Sequence, residues 1–518
     1  MNRIFKWTML CFGTLAIMVG CGKKETDDEF VKADDLLKEA VEIELSDEKI
    51  LVNGVEIAKD ESADVYMAND IVYYEEGKDF TYGEGTKEDE HSKEDADKHT
   101  VVHISKAGTY ALSGELSYGQ IAIDLGDDAK EDETAVVNLI LNGVDINCDV
   151  APAVIFYNVY ECGSDETEGA SKDVNTSKAG ANVYIADGTE NYVTGSHVAK
   201  IYKSYELSED GTEVIDSKKL HKYDAAFYSK CTMTVNGGSK GTGILNILAD
   251  NEGLDSELHL TINGGNINIE SGNDGINTNE DEVSVTTVNG GTINILVTGS
   301  TGEGDGIDSN GWLVINGGTV IAQACSNSGD AGIDSDMGIH INGGTVIATG
   351  NMLDRISESK ATYAVFTFAE RQKGSNIYSL KNSSDEVVFE LDNTNAFTYL
   401  IFAGDKFAEG DYTLWCNDKQ CEGSSMGGFG MGRLGGGRGD GAGFEDGKMP
   451  RPEDVKKPDK GERPEGMEFP ESGERPENTE MRPMQTGGER TEIFKIVKGT
   501  NQFFNIAEKN ELDMHEDI

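Results

Sequence analysis

The sequence predicts an all-β fold, a parallel β-helix wound from coils of about 26 residues. An apolar-Asn-Gly-Gly tetrad recurs with its asparagines at Asn236, Asn263, Asn289, Asn316 and Asn342, at intervals of 27, 26, 27 and 26 residues. Short segments of alternating apolar and polar residues flank the tetrads, as in LHLTI before Asn263 and TINI after Gly291. No helical hydrophobic period fits into the rest of a coil, which leaves strands and turns.

The chain begins with the features of an export signal. Arg3 and Lys6 precede an apolar run from Trp7 to Val19, which is too short to cross a bilayer of about 30 Å as a helix. The run ends in Met-Val-Gly-Cys21, which is similar to the bacterial lipobox, where the cysteine becomes lipidated. We therefore predict a lipoprotein signal peptide over 1–21, lipidation at Cys21 and an acidic tether over 22–50. The alternative is a secreted protein that is cleaved nearby.

The middle of the chain divides into irregular and regular coils. Residues 51–225 are strand-like but less periodic, and we predict irregular coils and a cap there, with an exposed polar loop over 83–99. Residues 226–355 hold the regular repeats. Within them the apolar positions expected to stack inside the coils are Leu258, Leu260, Ile262, Leu313, Ile315, Ile339 and Ile341. The five tetrad asparagines are expected to form a structural ladder along one corner.

The end of the chain is expected to close the solenoid. Residues 356–421 are apolar enough to form a β cap, because a solenoid needs its open end covered. Residues 422–490 form a Gly-, Met- and Pro-rich tract that we predict to be a disordered insertion, and 491–518 supply closing strands and a tail. Cys416 and Cys421 bracket a short turn and could form a disulfide, which the sequence leaves open.

Part of the negative charge of the chain lies in a second repeat. With 95 acidic and 44 basic residues the net charge is −51, which excludes nucleic acid as a partner. A Gly-Leu/Ile-Asp/Asn-Ser/Thr motif recurs once per coil, and stacking would place Asp255, Asn277, Asp308 and Asp334 in one column. Asp250, Asp274, Asp305 and Asp330 would form a second, looser column. Between residues 241 and 354 there are sixteen acidic residues and no lysine or arginine.

Stacked carboxylates repel one another unless they are protonated or bind a cation. Calcium is the expected cofactor, because it takes six to eight oxygen ligands. The predicted ligands are Asp255, Asp274, Asn277, Asp305, Asp308, Asp330 and Asp334. The alternative is an acidic edge that is merely solvated, with Asp and Gly selected for turns.

Carbohydrate binding would use side chains on the outer surface of the coils. Strand alternation points Trp312 and His340 outward where Leu313 and Ile341 point inward. One outward row would contain His259, Val285, Trp312 and Gly338, and its neighbour Thr261, Thr287, Val314 and His340. Trp312, His340 and His259 are the predicted carbohydrate-binding residues, and burial is the alternative for Trp312.

Several segments carry a family resemblance. AAFYSKCTMTVNG, GDGIDSNGWLVINGG, NVYIADGTENYV and LILNGVDI resemble the clostridial carbohydrate-binding parallel β-helix proteins over roughly residues 50–415. The resemblance implies a right-handed β-helix similar to pectate lyases, bound calcium, and binding of plant cell-wall polysaccharide of the pectin or cellulose class without catalysis. With a lipid anchor as its membrane contact, such a protein would sit as a monomer on the extracellular face of the bacterial membrane.

Two other functions stay open. A pectate-type polysaccharide lyase would need a lysine or arginine base, and only Lys230, Lys240 and Arg355 flank the regular coils. A surface adhesin or scaffold with a protein partner fits a tethered rod equally well. No catalytic residue is predicted.

Overall fold

A computed structural model describes residues 33–425 and 490–509. The predicted signal peptide, Cys21, residues 22–32 of the predicted tether and most of the 422–490 tract lie outside the described residues. Those that are described form an almost entirely β structure, which confirms the all-β prediction. Among them, no helix is both long and apolar enough to cross a membrane.

The N-terminal part contains short strands followed by longer ones. Its elements are α1 (Ala33–Leu36), β1 (Val41–Leu45), β2 (Leu51–Val52), β3 (Val55–Glu56), β4 (Val65–Ala68), α2 (Lys93–Ala96), β5 (Thr100–Ile104), β6 (Gly108–Leu116), β7 (Gly119–Asp124), a 3₁₀ turn (Asp127–Glu131), β8 (Val137–Cys148), β9 (Val154–Asn158), β10 (Ala181–Ile185), β11 (Glu190–Gly195), β12 (Val198–Leu207) and β13 (Val214–Tyr223). Strands β12 and β13 form an antiparallel two-stranded hairpin, called here the hairpin arm.

The central part repeats a pattern of short strands. These are β14 (Ala225–Ser229), β15 (Met233–Gly237), β16 (Ile244–Ala249), β17 (Glu252–Ser256), β18 (His259–Ile262), β19 (Asn266–Ser271), β20 (Ile276–Thr278), β21 (Val285–Val288), β22 (Thr292–Val297), β23 (Ile307–Ser309), β24 (Trp312–Ile315), β25 (Thr319–Gln323), β26 (Gly338–Ile341) and β27 (Thr345–Gly350). In four of the five tetrads the second glycine adopts a positive φ, as in Gly291 (88°) and Gly318 (79°), which a side chain would disfavour.

Strands one repeat apart pair in parallel and form three columns. Column A contains β6, β8, β10, β15, β18, β21, β24 and β26. Column B contains the end of β8, then β11, β16, β19, β22, β25 and β27. Column C contains β5, β7, β9, β14, β17, β20 and β23. The tetrad turns connect column A to column B, and the acidic repeat leads from column B to column C.

The predicted interior and the predicted ladder are both present. Leu258, Leu260, Ile262, Leu313, Ile315, Ile339 and Ile341 are all buried. Each tetrad asparagine after the first donates from Nδ2 to Oδ1 of the preceding one at 2.9 Å, from Asn342 back to Asn236. A second ladder joins Asn294, Asn268 and Asn246 on column B, again at 2.9 Å.

The C-terminal part has its own aromatic core. Its strands are β28 (Tyr363–Gln372), β29 (Asn376–Asn382), β30 (Val387–Asn393), β31 (Phe397–Gly404), β32 (Gly410–Cys416), β33 (Lys419–Ser425), β34 (Phe494–Ile496) and β35 (Thr500–Glu508). Strand β31 pairs antiparallel with β27, the last strand of column B, and β35 pairs with β28. Phe366 packs against Phe494 and Phe503, which joins residues from both sides of the 422–490 tract. Cys416 and Cys421 are buried thiols that form no disulfide with each other.

The segment 83–99 differs from the exposed loop that the sequence predicts. It contains α2, and its last residue, His99, is buried. Gly83 and Gly85 lie against the Tyr74 ring, and Asp89 accepts a hydrogen bond from His197 at 2.9 Å. Polar composition misled the prediction, because an ion pair and close backbone packing hold this segment on the fold.

Candidate cation and carbohydrate sites

The register of column C stacks the repeated acids. Asp255 pairs with Asn277 and Asn277 with Asp308 across β17, β20 and β23. The preceding residues in these strands, Leu254, Ile276 and Ile307, are buried, so the acids occupy the opposite face. Asp334 continues the column, because its backbone N–H donates to the Ile307 carbonyl at 2.7 Å.

Three of the predicted ligands converge at one end of this column. One carboxylate oxygen from each of Asp305, Asp308 and Asp334 lies within 4.8 Å of the others, and we call these residues acid cluster two. Backbone N–H groups fix the arrangement: Ala331 donates to Asp305 Oδ1 at 2.5 Å, and Asp305 donates to Asp274 Oδ1 at 2.7 Å. Asp274 therefore borders the cluster. Asp330 accepts from the Gly304 N–H at 2.6 Å.

The electrostatics of acid cluster two disfavour three bare negative charges. Burial, and then the neighbouring Asp274, raise the pKa of Asp305 to about 9 and that of Asp308 to about 7. Burial, and then Asp354, raise the pKa of Asp334 to about 7. Oδ1 of Asp334 is buried with no hydrogen-bond partner among the described residues. Protonation or a bound cation would relieve the repulsion among these carboxylates near neutral pH.

A second cluster lies toward the other end of the column. Carboxylate oxygens of Asp224, Glu252 and Asp255 also lie within 4.8 Å of one another, and all three residues are buried. We call them acid cluster one. Sequence reasoning found Asp255 but missed Asp224 and Glu252. The signal for Asp224 was the hexapeptide DAAFYS at 224–229, which matches DAGIDS at 330–335 with Tyr228 in the place of Asp334.

The expected second column of acids needs correction at both ends. Backbone hydrogen bonds from Gly306 to the Ala331 carbonyl and from Ile307 to the Gly332 carbonyl place Ala331, not Asp330, in line with Asp305. In the observed register Leu254 aligns with Ile276 and Ile307, so the residue in line with Asp274 and Asp305 is Glu252, not Asp250. Asp250 instead accepts from Ser196 Oγ at 2.5 Å and lies 3.2 Å from His197 Nδ1. Asp250 lies five residues before Asp255, whereas Asp274 and Asp305 lie three residues before Asn277 and Asp308, so Asp250 falls outside the column.

The predicted carbohydrate-binding residues differ in accessibility. Trp312 and His340 are half-buried, with the His340 Nδ1 3.2 Å from the Glu358 carbonyl. His259 is only 4% exposed, and its Nδ1 accepts from the Val285 N–H at 3.1 Å. It is therefore unable to stack on a sugar, because the segment between β9 and β10 covers it. Gly163 of that segment lies directly against the imidazole ring.

The same segment forms one wall of a groove over column A, with a volume of about 570 Å³. The floor consists of the predicted outward row Thr261, Thr287, Val314 and His340, with Asn289, Asn316 and Asn342 of the ladder along one edge. Residues 172–177 form one wall, and Glu358 and Lys360 lie in the lining as well. Thr176 Oγ1 donates to Thr261 Oγ1 at 2.8 Å and closes the end of the groove near β18.

The sequence of this chain is similar to that of known proteins. A family model described as "Carbohydrate-binding domain-containing protein" matches residues 98–365. The chain belongs to this family. A relative with the same description from Acetivibrio thermocellus is 31% identical over 172 residues, which are 33% of this chain and 45% of the relative. The chain thus matches less than half the length of that protein.

Among solved structures, the chain is similar to one titled as a polysaccharide lyase-like protein from C. thermocellum, a gadolinium derivative. The identity is 19% and the TM-score 0.37, over 62% of this chain and 95% of that one. The carbohydrate-binding domain match itself begins just before β5 and ends within β28. It therefore contains the regular coils, both acid clusters and the lining of the groove.

Proposed function

We propose that this protein is a cell-surface lipoprotein that binds plant cell-wall polysaccharide, of the pectin or cellulose class, without catalysis. The binding domain is a right-handed parallel β-helix stabilised by calcium. The groove over column A is the observation that carries the proposal. Membership of a carbohydrate-binding domain family supports it, because the matched residues contain the whole lining of this groove.

The parallel pairings support the β-helix. Strands one repeat apart lie side by side in all three columns, and the tetrad turns and acidic turns join the columns in a fixed order. A chain that proceeds from column C to A to B and back to C advances by one strand spacing per coil. This arrangement lines up equivalent side chains over a long surface, which suits a polymer with a repeating unit.

The chemistry of acid cluster two supports calcium. Its donors are all carboxylate oxygens, as a hard cation prefers, and 4.8 Å is about twice a calcium–oxygen distance of 2.3–2.6 Å. The unpartnered Oδ1 of Asp334 offers a further donor atom. Asp305, Asp308 and Asp334 would hold the ion. Asp274, which accepts a hydrogen bond from the Asp305 N–H, would border the site. A bound calcium ion would supply the positive charge that these carboxylates lack.

The groove offers the groups that sugar hydroxyls need. Threonine hydroxyls, the His340 imidazole and the ladder amides present both donors and acceptors along its length. Lys172 and Lys360 are balanced by Asp173 and Glu358, so the groove carries little net charge on a strongly acidic chain. Trp312 is two residues before Val314 on the same strand face and can extend the surface with an indole ring.

Retention on insoluble pectin and cellulose tests the proposal. We expect Trp312→Ala and His340→Ala each to weaken retention about three- to tenfold, as the loss of a hydrogen bond or ring contact of about 0.5–1.5 kcal/mol implies. Tyr205→Ala is the matched control, because this exposed ring lies on the hairpin arm outside the groove lining. Equal retention of all three variants and the wild type would refute the groove as the binding site.

The lyase alternative has one observation in its favour. Burial, and then the neighbouring Lys130, lower the pKa of Lys230, as a catalytic lysine base would require. The same glycans should therefore be assayed for unsaturated uronate products with and without calcium. Product would replace the binding proposal with a lyase, whereas neither retention nor product would favour an adhesin with a protein partner.

A further inference from the structure

Acid cluster one combines carboxylates from separate strands in a buried place. Asp224 precedes β14, whereas Glu252 and Asp255 both lie in β17. The Glu252 N–H donates to the Asp224 carbonyl at 3.1 Å, which holds the two segments together. Tyr228 pairs with Asp255 in the strand register, so the acid column ends here. The oxygens lie within 4.8 Å of one another, about twice a calcium–oxygen distance.

A second observation points to a ligand at this place. Asn277 stands beside Asp255 in the register, and its Nδ2 donates to Glu252 Oε1 at 3.2 Å. Its Oδ1 is buried without a hydrogen-bond partner in the described part of the chain, as is Glu252 Oε2. Both residues are only 6% exposed. Such orphaned buried oxygens are rare and costly, and a cation that accepts their lone pairs would satisfy them.

One positive side chain already contacts the cluster. Lys222, at the base of the hairpin arm, places its Nζ 2.7 Å from Asp224 Oδ2. Its side chain is 44% exposed, so it can turn outward to solvent without disturbing the interior. Three carboxylates share this place with one ammonium group, so their negative charge is only partly balanced.

We propose that Asp224, Glu252, Asp255 and Asn277 form a second divalent-cation site, suited to Ca²⁺, and that Lys222 competes with the ion for Asp224. Lysine and ion exclude each other because two positive charges at this separation repel strongly in a buried setting. Binding of the ion displaces the Lys222 ammonium group from Asp224, which removes one of the contacts that hold the hairpin arm. The inference goes beyond glycan binding and stands without it.

Counting bound ions tests the site. Calcium titrations of the full chain, by calorimetry and native mass spectrometry, should give one ion fewer for Glu252→Gln than for the wild type. The ion at acid cluster two should remain in that variant, which also shows that it is folded. Lys222→Met should tighten the Glu252-dependent site by about tenfold, because it removes the competing charge.

Lys178→Met is the matched control for charge. Lys178 pairs with Glu133 at 2.9 Å on the surface and contacts neither cluster. If Glu252→Gln leaves the number of ions unchanged, or Lys222→Met alters affinity no more than Lys178→Met does, the inference is wrong. Should Glu252→Gln fail to fold, the Lys222→Met comparison alone decides. If the wild-type protein binds the expected number of calcium ions but is not retained on pectin or cellulose, the proposed function is wrong and this cation site is unaffected.

Discussion

The asparagine ladder and the acid column are two stacks of the same repeat with opposite consequences. In the ladder each amide donates to the next at 2.9 Å, from Asn342 to Asn236. In the acid column, Asp255, Asn277 and Asp308 are stacked by the same parallel pairing. An amide carries both a donor and an acceptor, whereas an ionised carboxylate only accepts. Stacked amides therefore satisfy one another, and stacked carboxylates cannot.

This difference separates a structural repeat from a candidate site. The stacked amides of the ladder asparagines hydrogen-bond to one another, although Asn289 and Asn316 are exposed. Asp305, Asp308 and Asp334 have raised pKa values, and one oxygen of Asp334 lacks a partner. Asp250 shows how a single acid of the repeat is satisfied internally, because His197 and Ser196 contact it. For Asp305, Asp308 and Asp334, protonation or a bound cation would offset the repulsion between their carboxylates.

The largest expected effect is that of removing calcium. We expect the melting temperature in millimolar calcium to exceed that in chelator, because a site filled at a hundred times its dissociation constant adds about 2.7 kcal/mol. For a chain of this size such a gain corresponds to roughly 2–5 °C. Differential scanning calorimetry measures it. An identical melting temperature in both conditions would show that the acid column is only a solvated edge.

A pH series without calcium should have the next largest effect. The pKa values of Asp308 and Asp334 are raised to about 7 and that of Asp305 to about 9, against about 4 in an unfolded chain. The protonated carboxyls therefore favour folding fully below pH 4, and that contribution is lost as the pH rises through 7 and 9. In chelator the melting temperature should fall between pH 5 and pH 9, and calcium should flatten the curve.

The opposite slope would contradict this assignment. Asp89 provides an internal contrast, because its hydrogen bond from His197 lowers its pKa to about 2. Its contribution is present above pH 4 and is lost only as the pH falls toward 2. A loss of stability confined to acid pH would therefore implicate carboxylates with a lowered pKa, such as Asp89, not the acid column.

Much of the fold could be predicted because the repeat is local and regular. A spacing of 26 or 27 residues places equivalent positions side by side, so the buried Leu260 and Leu313 and the ladder followed from counting alone. The same counting placed Asp255, Asn277 and Asp308 together. These predictions needed only that each coil stack on the one before it.

Features set by irregular segments could not be predicted in this way. His259 is buried because a segment about 100 residues earlier in the chain, near Gly163, covers it, and no periodic pattern encodes that contact. Asp224 was overlooked because Tyr228 replaces the acid that marks the other repeats. Glu252, three residues before Asp255, occupies the position in line with Asp274 that had been given to Asp250, because an acid five residues before Asp255 was counted as its equivalent.

The smallest expected effect comes from exchanging the chemistry of the two stacks. Asn263→Asp removes the donor to Asn236 Oδ1, and we expect a loss of about 1 kcal/mol of stability. Asp308→Asn introduces a donor among carboxylates, so we expect a gain of similar size in chelator and a smaller gain from calcium. Urea unfolding with and without chelator measures both.

Asn268→Asp in the second ladder is the control for this exchange, because its Nδ2 also donates to a preceding asparagine at 2.9 Å. It should behave as Asn263→Asp does, whether calcium is present or not. The two stacks differ in their chemistry only if Asp308→Asn stabilises the calcium-free protein whereas Asn263→Asp and Asn268→Asp destabilise it. Should Asp308→Asn destabilise the calcium-free protein as the ladder variants do, the column carboxylates would already have hydrogen-bond partners. They would then need no cation.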